Sequence, residues 1–331
     1  MKLLQDGLDG KRYFVVNPLL DCRNMGLESV DVLLETHNLD GIETLERVAK
    51  YHPYTAYRCR CYGAMNGVFM QFRTPMKTSS RIRELVRTLK REGVVNRYRF
   101  LTTANEPTVY TSLRIDGWDP KTLSWNFSWD RWFKKPVGRI KSQGRNGPAG
   151  GALQWLTRRD LSILYELMKG ARRKNIEIIR ALAKAGIKFT PQTFSRRFKM
   201  LREQCIEGYR VTFDPSAFDI YSNVIIFGRG ERDTLHRLRA RLQNRPIPFE
   251  STMRVSEDEI FWFLRLQPTH LSPLLASLYS QLNEMSVFLV DYSHSLIYYI
   301  WPETLDEDAH KWRTDRRFMI DDVLDAVLGR S

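Results

Sequence analysis

The stretch TPQTFSRRFKMLREQCIEGYRV, residues Thr190–Val211, decides how the rest of the chain is interpreted. It opens on a helix-start signal, because Thr190 can cap a helix with its hydroxyl and Pro191 suits a first helical position, where no backbone N–H is needed. Three basic residues then fall within four positions. Such a helix is either an ordinary surface helix with a solvated basic face or a helix that lies in a DNA groove.

The predicted helix has one apolar face and one polar face. At 100° per residue, Phe194, Phe198 and Leu201 fall together and form the packing face. The opposite face carries no carboxylate before Glu203, whereas an ordinary solvated face alternates charge signs for i,i+4 pairing. The members of this polar face are Gln192, Arg196 and Lys199, flanked by Thr193, Ser195 and Met200.

These polar side chains have the chemistry of major-groove recognition. Glutamine pairs bidentately with adenine and arginine with guanine, while lysine and serine commonly contact phosphates. We expect Arg197 to contact a phosphate or to brace the helix. The candidate DNA-binding residues are therefore Thr190, Gln192, Thr193, Ser195, Arg196, Arg197 and Lys199.

Two shorter helices are predicted before this one. Thr157 can cap the first, with Asp160 three residues on in the capping-box position. Asn175 is the expected cap of the second, IEIIRALAKA, and Gly186 its C-terminal stop. A hairpin-like tail, GYRVTFDP, follows the third helix. This order predicts a winged helix-turn-helix.

The positive charge is concentrated around this module. The 331-residue chain carries a net charge of +14, and residues 134–213 alone hold 19 basic and 5 acidic side chains. The flanks are near neutral, at +5 for residues 1–133 and −5 for residues 214–331. A basic middle between such flanks indicates a polyanion-binding module, although a solubilising face would have the same composition.

The two flanks repeat one order of elements. Each contains strand, helix, two strands, helix and strand, which predicts a ferredoxin-like sandwich with two helices on one face of an antiparallel sheet. The expected fold is thus α+β, with two ferredoxin-like domains flanking a central winged helix-turn-helix. In the first flank the elements fall at 29–37, 41–51, 55–62, 67–73, 79–93 and 95–103. In the second they fall at 222–228, 232–242, 250–255, 260–266, 271–285 and 286–293.

Three other segments complete the organisation. KKPVGRIKSQGRNGPAGG, residues 134–151, is a flexible basic linker that could also follow phosphates. Trp125, Trp129 and Trp132 recur at helical spacing and are expected to pack against the sheet. A C-terminal acidic amphipathic helix, MIDDVLDAVL, is expected to dock on its own chain or on a partner. The predicted boundaries are 1–133, 134–155, 156–213, 214–301 and 302–331.

The segments LTRRDLSILYELMKGARRKNIEIIRALAKAG, TPQTFSRRFKMLRE and GYRVTFDP resemble the Lrp/AsnC (feast/famine) transcription regulators. The resemblance covers residues 156–300. It implies an AsnC-type recognition helix and wing that lead into a ferredoxin-like effector domain, the RAM domain. It also implies double-stranded DNA as partner, an amino-acid-like effector, assembly as a homodimer or larger homo-oligomer, and a cytoplasmic, nucleoid-associated location.

The sequence departs from the family in three places. The turn between Gly186 and Thr190 is longer than the family's turn, and the second repeat has SEDE (256–259) where a glycine-containing effector loop is expected. The first repeat keeps such a loop, GAMNG, so Gly63, Asn66 and Gly67 are the candidate effector-binding residues. KLLQDGLDGKRYFVVNP (2–18) also resembles KMLREQCIEGYRVTFDP (199–215). We therefore expect a duplicated regulator whose N-terminal copy lost its DNA-binding domain or whose true start lies upstream.

Two further functions stay open beside the regulator. A nonspecific architectural DNA-binding protein would use the same basic block, with a steep salt dependence and little sequence preference. An enzyme is less expected, although siroheme decarboxylases resemble this family. The six histidines are scattered, and the four cysteines fit neither a zinc knuckle nor a CxxC pair. We expect no metal site, no cofactor, no catalytic residues, free thiols and a cytosolic protein without a membrane span or signal peptide.

Overall fold

The computed structural model describes residues 14–103, 108–114, 116–122, 124–136, 149–213 and 222–329. The first described strand is β1 (Phe14–Leu20), and the first repeat follows it. That repeat has the order strand, helix, strand, strand, helix, strand. Its elements are β2 (Leu27–Glu35), α1 (Leu39–Tyr51), β3 (Thr55–Gly63), β4 (Gly67–Pro75), α2 (Ser79–Arg91) and β5 (Tyr98–Thr103).

The helix ends of the first repeat follow from local capping. Helix α1 begins two residues before the predicted Gly41, because the Asn38 side chain accepts a hydrogen bond from the Gly41 N–H at 3.0 Å. The predicted cap at Ser80 is wrong, since α2 already begins at Ser79 and makes no side-chain cap hydrogen bond. Gly93 adopts φ +76°, the left-handed conformation expected just beyond a helix C-terminus.

The segment after the first repeat packs on the second repeat. It contains β6 (Val109–Thr111), β7 (Trp118–Asp119), β8 (Ser124–Trp125) and α3 (Trp129–Lys134). Trp129 and Trp132 are buried as predicted, and their indole N–H groups donate to the carbonyls of His270 and Arg245 at 2.8 and 2.9 Å. Trp125 is also buried, but on β8 rather than on the helix.

The central module is a winged helix-turn-helix. It consists of α4 (Arg158–Met168), α5 (Asn175–Lys184), α6 (Pro191–Gln204) and the wing strand β9 (Ile206–Phe213). The predicted cap at Asn175 is wrong by one residue, because Lys174 occupies the cap position and the Glu177 carboxylate accepts from its backbone N–H at 3.3 Å. Gly186 ends α5 with φ +82°, as predicted. Most of the predicted basic linker, residues 137–148, lies outside the described residues.

The wing strand pairs with the strand that opens the chain. Strands β1 and β9 form a two-stranded antiparallel sheet in which Val15 lies opposite Thr212, with Phe14 opposite Phe213 and Val16 opposite Val211. The sequence similarity between residues 2–18 and 199–215 also sets Val15 against Thr212. The Val15–Thr212 pair is therefore the centre of a local two-fold symmetry. The two similar segments pair with each other as two equivalent wing strands.

The second repeat has the same order of elements as the first. Its last predicted helix, 271–285, begins and ends earlier than expected. The helix starts at Pro268, where a missing N–H has no cost, and the next strand already begins at Glu284. The elements are β10 (Ser222–Arg229), α7 (Arg232–Asn244), β11 (Glu250–Val255), β12 (Glu259–Leu266), α8 (Pro268–Tyr279) and β13 (Glu284–Ile297).

The two repeats share one nine-stranded sheet in the order β5-β2-β4-β3-β13-β10-β12-β11-β6. The sheet curls so that its inner faces meet, with the rings of Phe69 and Phe261 stacked at 5.1 Å and Asp31 ion-paired to Arg254 in the interior. Cys59 and Cys61 point together into this core, and all four cysteines are free thiols, as expected. The predicted fold class, with two ferredoxin-like units and a winged helix, is confirmed.

Each repeat is covered by the segment that follows the other repeat. Residues 108–114, 116–122 and 124–136 pack on the second repeat. Residues 298–328 return to the first, where Trp312 Nε1 donates to Met25 O at 2.7 Å. This tail contains β14 (Leu305–Asp306), β15 (Lys311–Trp312) and α9 (Asp322–Leu328). The apolar stripe of the acidic C-terminal helix is thus buried on its own chain, and we expect neither repeat to fold without the other.

Candidate nucleic-acid interface

Helix α6 is fixed in place by its cap and its apolar face. The Thr190 hydroxyl accepts from the Thr193 N–H at 3.2 Å, and Pro191 occupies the first turn. Phe194 and Leu201 are fully buried, and the Phe194 ring stacks on Phe198 at 5.9 Å. Burial of these three side chains sets the rotation of the helix, so its other side must face solvent.

The side of α6 that faces solvent carries the polar row predicted from the sequence. Gln192, Ser195, Arg196 and Lys199 are all exposed. Neither Arg196 nor Lys199 forms an ion pair with any residue that the structure describes. The row therefore presents an amide, a hydroxyl, a guanidinium and an ammonium group that remain available for a ligand. We refer to these four residues as the exposed row.

The two threonines among the candidates are occupied by the cap. The Thr190 hydroxyl donates to the Thr193 hydroxyl at 2.9 Å while it accepts from the Thr193 backbone. Thr193 is half-buried. Their primary role in the free protein is to hold the N-terminus of α6, and contact with DNA by either one remains a prediction.

Arg197 lies on the other side of the helix from the exposed row. Its guanidinium is ion-paired to both carboxylate oxygens of Asp160, a side chain with no exposed surface, and donates to the Trp155 carbonyl at 3.0 Å. It also lies 5.1 Å from the Trp155 ring centroid. Hydrogen bonding to Asp160 raises the pKa of Arg197. Of the two expected roles, the geometry fits bracing of the helix and not phosphate contact.

Two acidic side chains of the module, Asp160 and Glu166, form ion pairs within it. Asp160 accepts from the Thr157 N–H at 2.9 Å in a capping box as well as from Arg197. Burial alone would raise the pKa of Glu166, but Lys169 and Arg173 together hold it below its ordinary value. The exposed surface is left strongly positive. Its exposed basic residues are Arg158, Arg159, Arg172, Lys174, Arg180, Lys184, Lys188, Arg196, Lys199 and Arg202, against the exposed acidic residues Glu177, Glu203 and Glu207.

The wing strand supplies a residue that sequence analysis missed. Arg210 extends from β9 into the second repeat, where it donates to the Thr252 hydroxyl at 3.0 Å and the Ser251 carbonyl at 3.1 Å and pairs with Glu250 at 3.2 Å. It tethers the winged helix to the shared sheet. No local pattern in GYRVTFDP distinguishes this arginine from a surface one, because its partners lie about forty residues away in the sequence.

The three candidate effector residues, Gly63, Asn66 and Gly67, each have a structural role in the turn between β3 and β4. Gly63 has φ +129° and donates its N–H to Asn66 Oδ1 at 3.0 Å. A Cβ at Gly67 would lie 2.0 Å from the Leu34 carbonyl oxygen, so only glycine fits there. The loop touches the second repeat through the Ala64 N–H and the Val287 carbonyl, at 3.4 Å. It lies at the junction of the repeats, and effector binding there remains a prediction.

The histidines among the described residues do not lie together in a cluster. His52 is fully buried, and desolvation lowers its pKa to about 3, so the ring is neutral at pH 7. His294 pairs with Asp291 at 2.7 Å on an exposed stretch of β13. Across the described ranges there is no group of three or more histidine, cysteine or carboxylate side chains that could hold a metal. Within the same ranges, no helix is long and apolar enough to cross a membrane.

Comparison with known proteins identifies the fold. No protein-family model and no curated protein matches the chain. The solved structure of the siroheme decarboxylase NirDL matches with a TM-score of 0.51 at 13% identity, over 99% of this chain and 87% of that one. Its co-complex with an iron-uroporphyrin III analogue gives a TM-score of 0.47 at 14% identity, over 87% and 78% of the chains.

The matches among solved structures also include a transcriptional regulator. An AsnC family regulator from Agrobacterium tumefaciens aligns with a TM-score of 0.29 at 17% identity, over 46% of this chain and 99% of that one. The fold and the exposed row thus define a class of protein. It has two ferredoxin-like repeats in a common sheet and one winged helix with a basic, solvent-facing third helix.

Proposed function

We propose that this protein is a sequence-specific, DNA-binding transcriptional regulator of the Lrp/AsnC type. The observation that carries the proposal is the separation of charges on α6. Arg197 is ion-paired to Asp160, whereas Arg196 and Lys199 of the exposed row form no ion pair with the residues that the structure describes. A surface that keeps two unpaired cations beside an amide and a hydroxyl group is suited to DNA, where arginine and glutamine read base edges.

The residues of the exposed row divide into two roles. Arg196 and Gln192 would read base edges in the major groove, and Lys199 and Ser195 would contact phosphates. Thr190 and Thr193 hold the N-terminus of the helix, which would bring backbone N–H groups towards the DNA backbone. Because the described part of each chain contains one winged helix, a palindromic site requires at least a homodimer. We place this regulator in the cytoplasm, at the nucleoid.

A binding selection from genomic DNA fragments tests the proposal. The purified protein is compared with an Arg196→Ala/Lys199→Ala variant and with Arg87→Ala, which removes an exposed arginine from α2 of the first repeat. The proposal expects one inverted-repeat motif for the wild type and for Arg87→Ala, and its loss in the double variant. Recovery of unselected DNA by all three proteins would replace the proposal with the architectural function.

Siroheme decarboxylation is a second candidate function. It is supported by the length of the alignment with NirDL, which includes both repeats and the winged helix. The test is to add siroheme to the purified protein and to record visible spectra and carboxylate loss by mass spectrometry. Stoichiometric binding with loss of carbon dioxide would establish the enzyme, whereas an unchanged tetrapyrrole would remove this candidate.

A further inference from the structure

A large cleft separates the first two helices of the winged module from the C-terminal segment. Its volume is about 1210 Å³. The walls come from α4, from α5 and from the turn Trp301–Glu303, and none of the lining residues belongs to α6. The cleft is therefore distinct from the exposed row, although two of its three walls belong to the DNA-binding module.

The rim of the cleft is basic. Arg158, Arg159, Lys169, Arg173 and Lys184 line it, against the carboxylates of Glu166 and Glu303. Glu166 is already held by Lys169 Nζ at 2.5 Å and Arg173 Nη1 at 2.7 Å. Lys184 is exposed and forms no ion pair within the described chain. More positive charge surrounds the cleft than the protein itself neutralises, so an anionic ligand fits it.

The interior of the cleft is apolar and aromatic. Ala181, Leu182, Ala185 and Ile187 form one side, and Tyr165 and Trp301 contribute rings. The Tyr165 ring packs edge-on against Tyr299 at 5.4 Å and carries Lys169 Nζ at 4.3 Å from its centroid. The Tyr165 ring, fixed in this way, and the Trp301 ring offer stacking surface for a planar group, with cations next to it.

We propose that this cleft binds a nucleoside polyphosphate. The base would lie against Trp301 and Tyr165. The phosphates would meet Lys184, and they would share Lys169 and Arg173 with Glu166. A planar group with several negative charges matches both halves of the lining, whereas an amino acid would fill a small part of the volume. Small-molecule sites typically enclose about 300–1,000 Å³, which suits a ligand of nucleotide size in an open cleft.

The position of the cleft gives the ligand a regulatory role, and this step rests on the proposed function. Arg158 Nε donates to the Leu305 carbonyl at 2.9 Å, so α4 is already attached to the C-terminal segment beside the cleft. A ligand between the same two parts stabilises one orientation of the winged helix relative to the shared sheet. By linkage, DNA and nucleotide must then change each other's affinity by the same factor.

Calorimetric titration with ATP, adenosine and tripolyphosphate, in the absence of DNA, tests the site. The variants are Lys184→Ala and Trp301→Leu, with Lys188→Ala as the matched control, since Lys188 is an equally exposed lysine that does not line the cleft. We expect saturable ATP binding that is about tenfold weaker in Lys184→Ala, given the usual strength of a charge-assisted hydrogen bond. Trp301→Leu should weaken ATP and adenosine but not tripolyphosphate.

Three results would overturn the proposal. These are the absence of ATP binding, tripolyphosphate binding as tight as that of ATP, and an equal loss of affinity in Lys188→Ala. The proposed function is judged separately, by the affinity for selected DNA with and without ATP. Nucleotide binding without any DNA binding would support the nucleotide site and would contradict the proposed function as a regulator. DNA binding without nucleotide binding would do the reverse.

Discussion

Arg196 and Arg197 are neighbours in the sequence and opposites in the structure. Arg196 is exposed and makes no ion pair with the described residues, whereas the Arg197 side chain is 20% exposed and is held by Asp160 and Trp155. One residue turns a helix by 100°, which is enough to move a guanidinium from the solvent side of α6 to the packed side. Of these two adjacent arginines, Arg197 supports the helix, and Arg196 stays available for the proposed contact with DNA.

The comparison shows why composition alone could not locate the interface. Both arginines contribute equally to the charge of the module, yet only one is available to a ligand. The difference is made by Asp160, which lies 37 residues earlier in the chain and is fully buried. A buried carboxylate requires a partner, and Arg197 is the cation that packing places beside it.

The largest expected effect is on stability. Arg197→Met should lower the free energy of unfolding by about 3 kcal/mol, because it leaves Asp160 buried without a cation. Arg196→Met, the matched control one residue away, should change it by less than about 0.5 kcal/mol. Urea denaturation followed by circular dichroism measures both. Equal stabilities would show that the Asp160 pair does not support the helix.

A double variant sharpens this result. Asp160→Leu/Arg197→Met removes both charges and should be more stable than Arg197→Met alone, since no unpaired buried charge remains. The recovery should be partial, because the capping interaction of Asp160 with the Thr157 N–H is lost as well. A double variant less stable than Arg197→Met would argue that packing, and not charge, determines the effect.

The reciprocal effect concerns DNA. Arg196→Ala should weaken binding to the selected site by about 1–3 kcal/mol, roughly 5- to 150-fold, because a bidentate contact to guanine is lost. Fluorescence anisotropy with a labelled duplex measures the change. Arg87→Ala removes the same charge from α2 of the first repeat. At the same salt concentration it should leave the affinity within about twofold of the wild-type value.

A smaller effect is expected at the helix cap. Thr190→Ala should cost about 1 kcal/mol of stability, because the Thr193 N–H loses its acceptor. Ser195→Ala, on the exposed row of the same helix, should be neutral in the same urea titration. If Ser195→Ala proved as costly as Thr190→Ala, the assignment of the cap would be wrong.

The smallest expected effect is on salt dependence. Lys199→Ala should reduce the slope of log affinity against log salt by about 0.9, the value for one phosphate contact, and should do so on all sequences alike. Lys311→Ala removes an exposed lysine from the C-terminal segment and should leave the slope unchanged. A loss confined to one base sequence would show that Lys199 reads a base.

Local patterns in the sequence were sufficient for the architecture of the module and its exposed row. The cap at Thr190, the apolar spacing of Phe194 and Leu201, and the left-handed Gly186 are short-range features that a helix imposes on its own sequence. The same holds for the order of elements in each repeat. At Asn175 and Ser80 the error was one or two positions at a helix start. The predicted helix 271–285 was wrong by more, since α8 begins three positions earlier and ends six positions earlier.

Long-range pairings could not be derived in this way. The Arg210 tether, the pairing of β1 with β9, and the exchange of covering segments between the repeats all join residues distant in sequence. Asp160 is an intermediate case. Its capping-box interaction with Thr157 was predicted from the sequence, whereas its ion pair with Arg197 was not. Periodicity specifies which face is buried and leaves the partner on that face undetermined.

The most direct test of the central claim is a base-by-base specificity profile of Arg196→Ala beside the wild type, measured on all single substitutions of the selected site. If α6 reads sequence through its exposed row, Arg196→Ala will lose discrimination at one position in each half-site and keep it elsewhere. A uniform loss of affinity across all sequences, with every preference retained, would contradict base reading by this arginine and would reduce the exposed row to a phosphate-binding surface.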